Sequence, residues 1–228
     1  MRTALLTIIG LLILTCGACS SESISLPEPG HEGLSVEQAI RQRRSERSYS
    51  HEAVSLAELS QILFAAQGIT AAVGDRTFRA APSAGGTYPY EIYVFVNRVE
   101  GLGAGIYHYI PHGHELEVVR EGEFGDALSE ACVGQSMPAE GACAIVLAAV
   151  PERTIDVYGE RGLIYIYMEA GHISENIYLQ CASLGLAVVA VGAFYESEID
   201  VLIGLDGEQE ATVYVNCIGR KVAKEDGR

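Results

Sequence analysis

The chain predicts a central mixed β-sheet flanked by helices on both faces. Three observations carry that expectation. Residues 143–150 and 186–191 are uninterrupted apolar runs, the pattern of strands covered on both sides. Between them, Leu163, Ile166, Ala170, Ile173, Ile177 and Cys181 recur at helical spacing over 162–184, with Glu169, His172 and Glu175 interrupting the apolar surface. Residues 105–110 and 115–119 flank a His112-Gly113-His114 turn and read as a hairpin.

Taken in order, Met1-Arg2 and the apolar run from Ala4 to Leu14 lead to small residues and Cys19, the layout of an export signal. Residues 1–19 are expected to be a signal peptide that sends the protein to the cell envelope, either lipidated at Cys19 as in a lipoprotein or exported without the lipid; the alternative to export is a wrongly assigned start and a cytoplasmic protein. Residues 20–34 hold Pro27, Pro29, Gly30 and Gly33 among polar residues and suit a flexible tether. The domain is placed at 35–222. Ser35 with Gln38, and Ser55 with Glu58, are capping boxes that open two helices, the second stopping at Gly68. Residues 91–97 form a buried strand, 124–131 a short helix and 212–218 the last strand.

A length of 228 residues suits one domain with a substantial core. The formal net charge of −15 argues against nucleic acid and against anionic lipid as surface partners, leaving a membrane only the N-terminal anchor. Of the six cysteines, Cys132, Cys143, Cys181 and Cys217 remain after the signal. Three of them sit in apolar elements, so they are expected to be buried free thiols. No spacing suggests a metal site, and His108, His112 and His114 belong to a surface turn.

Within this acidic chain Arg43, Arg44, Ser45 and Arg47 concentrate three guanidiniums and a hydroxyl in five positions. They read either as a site for one phosphate group, which guanidiniums grip with paired hydrogen bonds, or as a solvated helix end. Pro82-Ser83-Ala84-Gly85-Gly86 combines a fixed kink, a hydroxyl and two glycines that let backbone N–H groups approach a flat ligand; the alternative is an ordinary turn before a strand.

In order, Arg43–Arg47, Pro82–Gly86, Tyr158-Gly-Glu-Arg-Gly162, Leu184-Gly-Leu186, Ala190–Phe194 and Ile218-Gly-Arg220 resemble the FMN-dependent nitroreductase family, and within it the thiazoline and oxazoline oxidase branch. The resemblance spans about residues 35–221. It implies an α+β homodimer with FMN at the subunit interface. Arg43, Arg44, Ser45 and Arg47 would hold the phosphate and ribityl chain. Pro82, Ser83, Ala84, Gly85 and Gly86 would meet the flavin from the partner subunit. Ala190, Val191, Gly192 and Ala193 would lie along the ring, and Arg220 near the phosphate. The implied activity is hydride transfer through flavin N5 to or from a small organic substrate, as a nitroaromatic or quinone reductase or a dehydrogenase, with NAD(P)H or another compound as electron donor.

Two other functions stay open: oxidation of an azoline-containing peptide, and a non-catalytic flavin-fold binding module at the envelope. Azoline oxidases of this type resemble one another in a Lys-Tyr pair before the Gly-Glu-Arg-Gly run. This chain has Val157-Tyr158 instead, and valine cannot take a proton. Tyr158 is the candidate catalytic residue, with strand or helix packing as its alternative. Glu160 and Arg161 are expected to form a local ion pair, and Glu169 with His172 a buried hydrogen-bonded pair at the dimer interface.

Overall fold

A computed structural model describes residues 23–223. The expected signal at 1–19, with Cys19, lies outside the described residues. Strand β1 (Ser23–Ser25) is followed by α1 (Val36–Gln42) and α2 (Leu56–Gln67), and both capping boxes form as expected. A ribbon of β2 (Ile69–Val73) and β3 (Arg76–Arg79) precedes β4 (Tyr90–Val96), β5 (Gly105–Ile110) and β6 (Glu115–Glu121). Next come α3 (Gly125–Ala131), α4 (Met137–Glu140), β7 (Cys143–Ala149) and α5 (Glu152–Tyr158). The chain then forms α6 (Gly162–Leu184), β8 (Leu186–Val191), α7 (Glu196–Ile203) and β9 (Ala211–Arg220).

Seven strands form one sheet in the order β1-β6-β5-β4-β7-β9-β8, and every neighbouring pair is antiparallel. Helices flank it as expected. The parallel component of the mixed sheet reduces to isolated bridges such as Ser45–Val188. Unbroken apolar runs report coverage on both faces, not strand direction, so the sequence pattern could not separate the two cases. On β4, Ile92, Val94 and Val96 join the core beneath α2 and α6, whereas Tyr93 and Phe95 join the core beneath α3 and α7. Among the described residues no helix is long and apolar enough to cross a membrane.

The expected flexible tether at 20–34 is corrected from Ser23 onward. β1 pairs with β6, Leu26 is buried, and the Gly30 and Leu34 N–H groups donate to Gln61 Oε1 and Ser183 Oγ. Without β1 the outer side of β6 would be an open ladder, and pairing satisfies it. The four expected thiols are free and buried; burial pushes Cys132 up to about 11 and Cys143 to about 12.

Helix α6 is the axis on which the functional residues hang. It packs against α1, α2, α5 and β8 and ends at Gly185, whose φ of +71° is the left-handed cap a side chain would disfavour. Its N-terminal half leaves Leu163, Ile164, Tyr167 and Met168 exposed, and Val36 and Ile40 of α1 are exposed as well.

Candidate functional site

The structure gathers the predicted residues into two groups at different heights on α6. The first forms where α1 ends. Arg43 N–H caps the helix by donating to Ala39 O, and the extended chain beyond lays Ser45 beside Val188 of β8. Glu46 N–H donates to Val188 O at 2.9 Å. Tyr178 of α6 ties this group together. Its hydroxyl lies 3.1 Å from Ser45 Oγ and accepts the Ala190 N–H at 2.8 Å, while the Arg43 guanidinium stands 5.4 Å from its ring centre.

Arg43 Nε is 3.9 Å from Glu175 Oε1, and Arg44 Nη1 donates to the carbonyls of Arg41 and Arg43. Exposed Arg47 has no ion-pair or hydrogen-bond partner among the described residues. Val191 is buried at the end of β8, and Gly192 and Ala193 follow it onto the surface. Opposite Ala190 in the β8–β9 register stands buried Asn216, whose Oδ1 accepts from Ser174 Oγ while its Nδ2 has no partner.

The second group surrounds the Pro82–Gly86 turn. Gly85 and Gly86 take φ of +60° and +68°, conformations that favour glycine, and Gly86 N–H closes the turn on Ser83 O. Tyr158 sits against it: a Cβ on Gly85 would lie 2.6 Å from the Tyr158 hydroxyl. The Tyr158 ring packs edge-on to Tyr165 at 5.1 Å and stays 37% exposed. Pro82, Ser83 and Ala84 line a cavity of about 280 Å³ with Tyr165, Glu169 and His172.

Glu169 is only 3% exposed, and its Oε1 accepts from buried Gln67 Nε2 at 3.5 Å. Burial pushes its carboxyl up to about 7 against the opposing pull of Ser83, Gln67 and Arg79. The expected Glu169–His172 pair is therefore corrected: the two share a cavity, but the carboxylate's partner is Gln67. The expected Glu160–Arg161 ion pair also does not form; Arg161 stands over the Tyr165 ring at 5.7 Å.

Arg220 belongs to neither group. Its Nε donates to Ala53 O and its two Nη atoms fork onto Glu58 at 2.6 and 2.8 Å, so its donors brace β9 against the start of α2. Among the described residues no hydrogen bond or ion pair joins the first group to the second. Glu169 and Tyr178 are nine positions apart on α6, about 14 Å of helix. A cavity of about 650 Å³ between α6, α7 and the start of β9 contains none of the predicted residues.

Sequence reasoning missed Tyr178, Glu169's true partner Gln67, and Asn216. Tyr178 reads as one more apolar-face residue of α6. Gln67 and Asn216 carry no signal beyond being polar inside apolar segments.

The model of the nitroreductase family matches residues 40–220. A proposed nitroreductase of Methanocaldococcus jannaschii is 40% identical over 201 residues, covering 88% of this chain and 98% of that protein. The trifolitoxin-processing protein TfxB of Rhizobium leguminosarum is 30% identical over 140 residues, covering 59% of this chain and 38% of its own length. Among solved structures, a proposed nitroreductase of Ralstonia eutropha superposes with a TM-score of 0.76 at 28% identity over 95% of this chain and 97% of that one. Another from Anabaena variabilis gives 0.77 at 28% identity over 89% of this chain, which spans 42% of that longer chain. The fold likeness extends to a Desulfovibrio desulfuricans structure holding FMN, with a TM-score of 0.59 at 22% identity over 86% of this chain and 92% of that one.

Proposed function

Because the chain belongs to the nitroreductase family, we propose that it is an FMN-dependent oxidoreductase that moves a hydride to or from a small organic substrate. The observation that carries this reading is the arginine segment. Arg44 and Arg47 have no carboxylate partner among the described residues, and Arg43 is only loosely paired, so three cations stand ready for a phosphate in an acidic protein. The residues present fit the cofactor in two further respects. The Gly85–Gly86 turn has no side chain to block a flat ring, and Asn216 Nδ2 is a buried donor without an acceptor beside Ala190.

FMN, when bound, would supply two-electron chemistry by accepting or donating a hydride. The chain's own residues do the rest. Arg43, Ser45 and Arg47 anchor the phosphate end, while Tyr178 holds Ala190 and the arginine segment in register. Gly85 and Gly86 offer backbone N–H groups. Tyr158, half-exposed beside Gly85, orients substrate by its hydroxyl. Val157 beside it takes no proton, and Glu169 keeps one at pH values below about 7 in the wall of the site.

Among the described residues no hydrogen bond or ion pair joins the two groups within a chain, and exposed apolar side chains on α1 and on the N-terminal half of α6 give a second copy surfaces to bury. We therefore place the complete site between two chains, each lending its Pro82–Gly86 turn to the other. Export with lipidation at Cys19 is proposed on the sequence alone. The similarity to TfxB favours a second reading, oxidation within a modified peptide, which Val157 disfavours.

The decisive test is the absorbance of the purified protein. Flavin bands at one per chain, bleached by NADH or NADPH under nitrogen, are expected. A colourless protein that takes up no added FMN would overturn the assignment, and a yellow protein that NAD(P)H leaves unbleached would shift it to substrate-driven reduction.

A further inference from the structure

The β2–β3 ribbon and the Pro82–Gly86 turn wall a cavity of about 650 Å³ lined by Arg76, Phe78, Arg79, Ser83, Gly86 and Tyr88. Arg79 is out of electrostatic balance there. Its Nε is buried without a hydrogen-bond partner, and its Nη1 reaches only Gln67 Oε1, at 3.4 Å. Among the described residues no carboxylate lies within ion-pair distance of it. Glu91, the acid that most favours its charge, is held by His108 and Arg153. Glu169, also nearby, is pushed toward its neutral form. Burial holds the Arg79 pKa below its ordinary value. A half-buried guanidinium with one nitrogen shut from solvent and no anion beside it is a costly arrangement for a fold to keep without a use.

Tyr88 supplies the second observation. Its φ of +45° is in the left-handed region although it is not glycine. Two hydrogen bonds hold it there: its N–H donates to Ser83 Oγ at 2.9 Å, and its hydroxyl accepts the Arg79 N–H at 3.1 Å. The strain keeps the ring 4.8 Å from the Arg79 guanidinium carbon. Backbone strain maintained by surrounding bonds gathers at ligand clamps. A planar fork backed by an aromatic ring, with donors unused, matches the two oxygens of a carboxylate.

We infer that Arg79 and Tyr88 form an anion subsite that takes the carboxylate of an organic-acid substrate, whose apolar remainder lies in the cavity toward the glycine turn. The subsite deepens the flavin reading and rests on it for its redox role, though not for binding itself. A phosphate, as on a nicotinamide donor, is the other source of the same charge.

The test is calorimetric titration of the protein as purified with benzoate, benzamide and inorganic phosphate at pH 7.5, for wild type, Arg79→Gln, Arg79→Lys and Tyr88→Leu. Saturable benzoate binding is expected, with benzamide at least tenfold weaker and phosphate unable to displace benzoate. Arg79→Gln should weaken benzoate at least tenfold with FMN content and melting temperature unchanged, and Arg79→Lys should recover part of the loss. If Arg79→Gln proves unstable, Tyr88→Leu with a lowered benzoate affinity and an intact fold carries the same support. Unchanged benzoate affinity in folded Arg79→Gln, displacement by phosphate at similar concentration, or loss of FMN from folded Arg79→Gln would each overturn the subsite. A wild type that binds benzoate through Arg79 but takes up no FMN would keep the subsite and remove the flavin reading.

Discussion

Replacing Glu169 with glutamine removes a buried ionisation while keeping the side chain's size and its acceptor toward Gln67. In the folded protein burial pushes this carboxyl up to about 7, against an ordinary value of 4.5. The folded state therefore holds a proton that the unfolded chain has released between those two values, so stability falls as pH rises through the interval and levels off above it. At about 1.4 kcal/mol per pH unit the interval corresponds to about 3–4 kcal/mol, an upper figure because water entering the adjoining cavity would lessen it. At pH 4.5 wild type and Glu169→Gln should melt within about 2 °C of each other. At pH 8.5 the variant should be more stable by about 2–3 kcal/mol, or about 5–10 °C for a chain of this length. Melting followed by circular dichroism at both pH values, on protein stripped of flavin, measures the difference. A gap that does not depend on pH, or a variant that melts lower at pH 8.5, would refute the claim that Glu169 resists ionisation.

Three further outcomes follow from the geometry. Arg43→Ala with Arg47→Ala should lower FMN affinity at least a hundredfold, read as loss of the absorbance near 450 nm after gel filtration, while circular dichroism stays unchanged; retained stoichiometric flavin would take these residues out of the site. Gly85→Ala should cost about 1–2 kcal/mol for its positive φ, and adding Tyr158→Phe should relieve only the contact with the hydroxyl. Glu58→Gln should destabilise by about 1–2 kcal/mol at pH 7 by unmaking the Arg220 fork. Burial raises the Glu58 carboxyl, but the Ser55 cap and Arg220 outweigh it and hold it below its ordinary value. That stability is present above about 4.5 and lost as pH falls through the lowered folded value, so the variant's deficit should shrink as the pH is taken progressively below 4.5.

The elements that the chain announced are those whose signal is local. The capping boxes at Ser35 and Ser55, the helical spacing over 162–184 and the apolar runs at 143 and 186 each depend on residues within one element, and each formed where expected. The β2–β3 ribbon was not legible because it is mostly exposed, so it carries no alternation between an apolar and a polar face. β1 was hidden for another reason: its three residues become a strand only because β6 offers them a free edge. The same division runs through the site. Arginines and glycines stand out by their chemistry wherever they lie, so the anion segment and the turn were visible. Gln67, Tyr178 and Asn216 became informative only once folding placed each beside a group it could satisfy or leave unsatisfied.

The apolar row of α6 allows the two-chain site to be tested apart from flavin chemistry. Met168 is 53% exposed, and Leu163, Ile164 and Tyr167 on the same half of the helix are exposed with it. A glutamate at position 168 would be left buried and unpaired between two copies yet solvated in a lone chain, so it should penalise association and spare folding. Met168→Glu should therefore elute as a monomer in light scattering, with native circular dichroism, whereas wild type should elute as a dimer. If Arg43, Ser45 and Arg47 of one chain form the phosphate end, as proposed, the monomer should still bind inorganic phosphate as wild type does while losing FMN. A monomeric Met168→Glu that kept full FMN affinity would place both halves of the site in the same chain, and the 14 Å along α6 between Glu169 and Tyr178 would then have to be crossed by the cofactor itself.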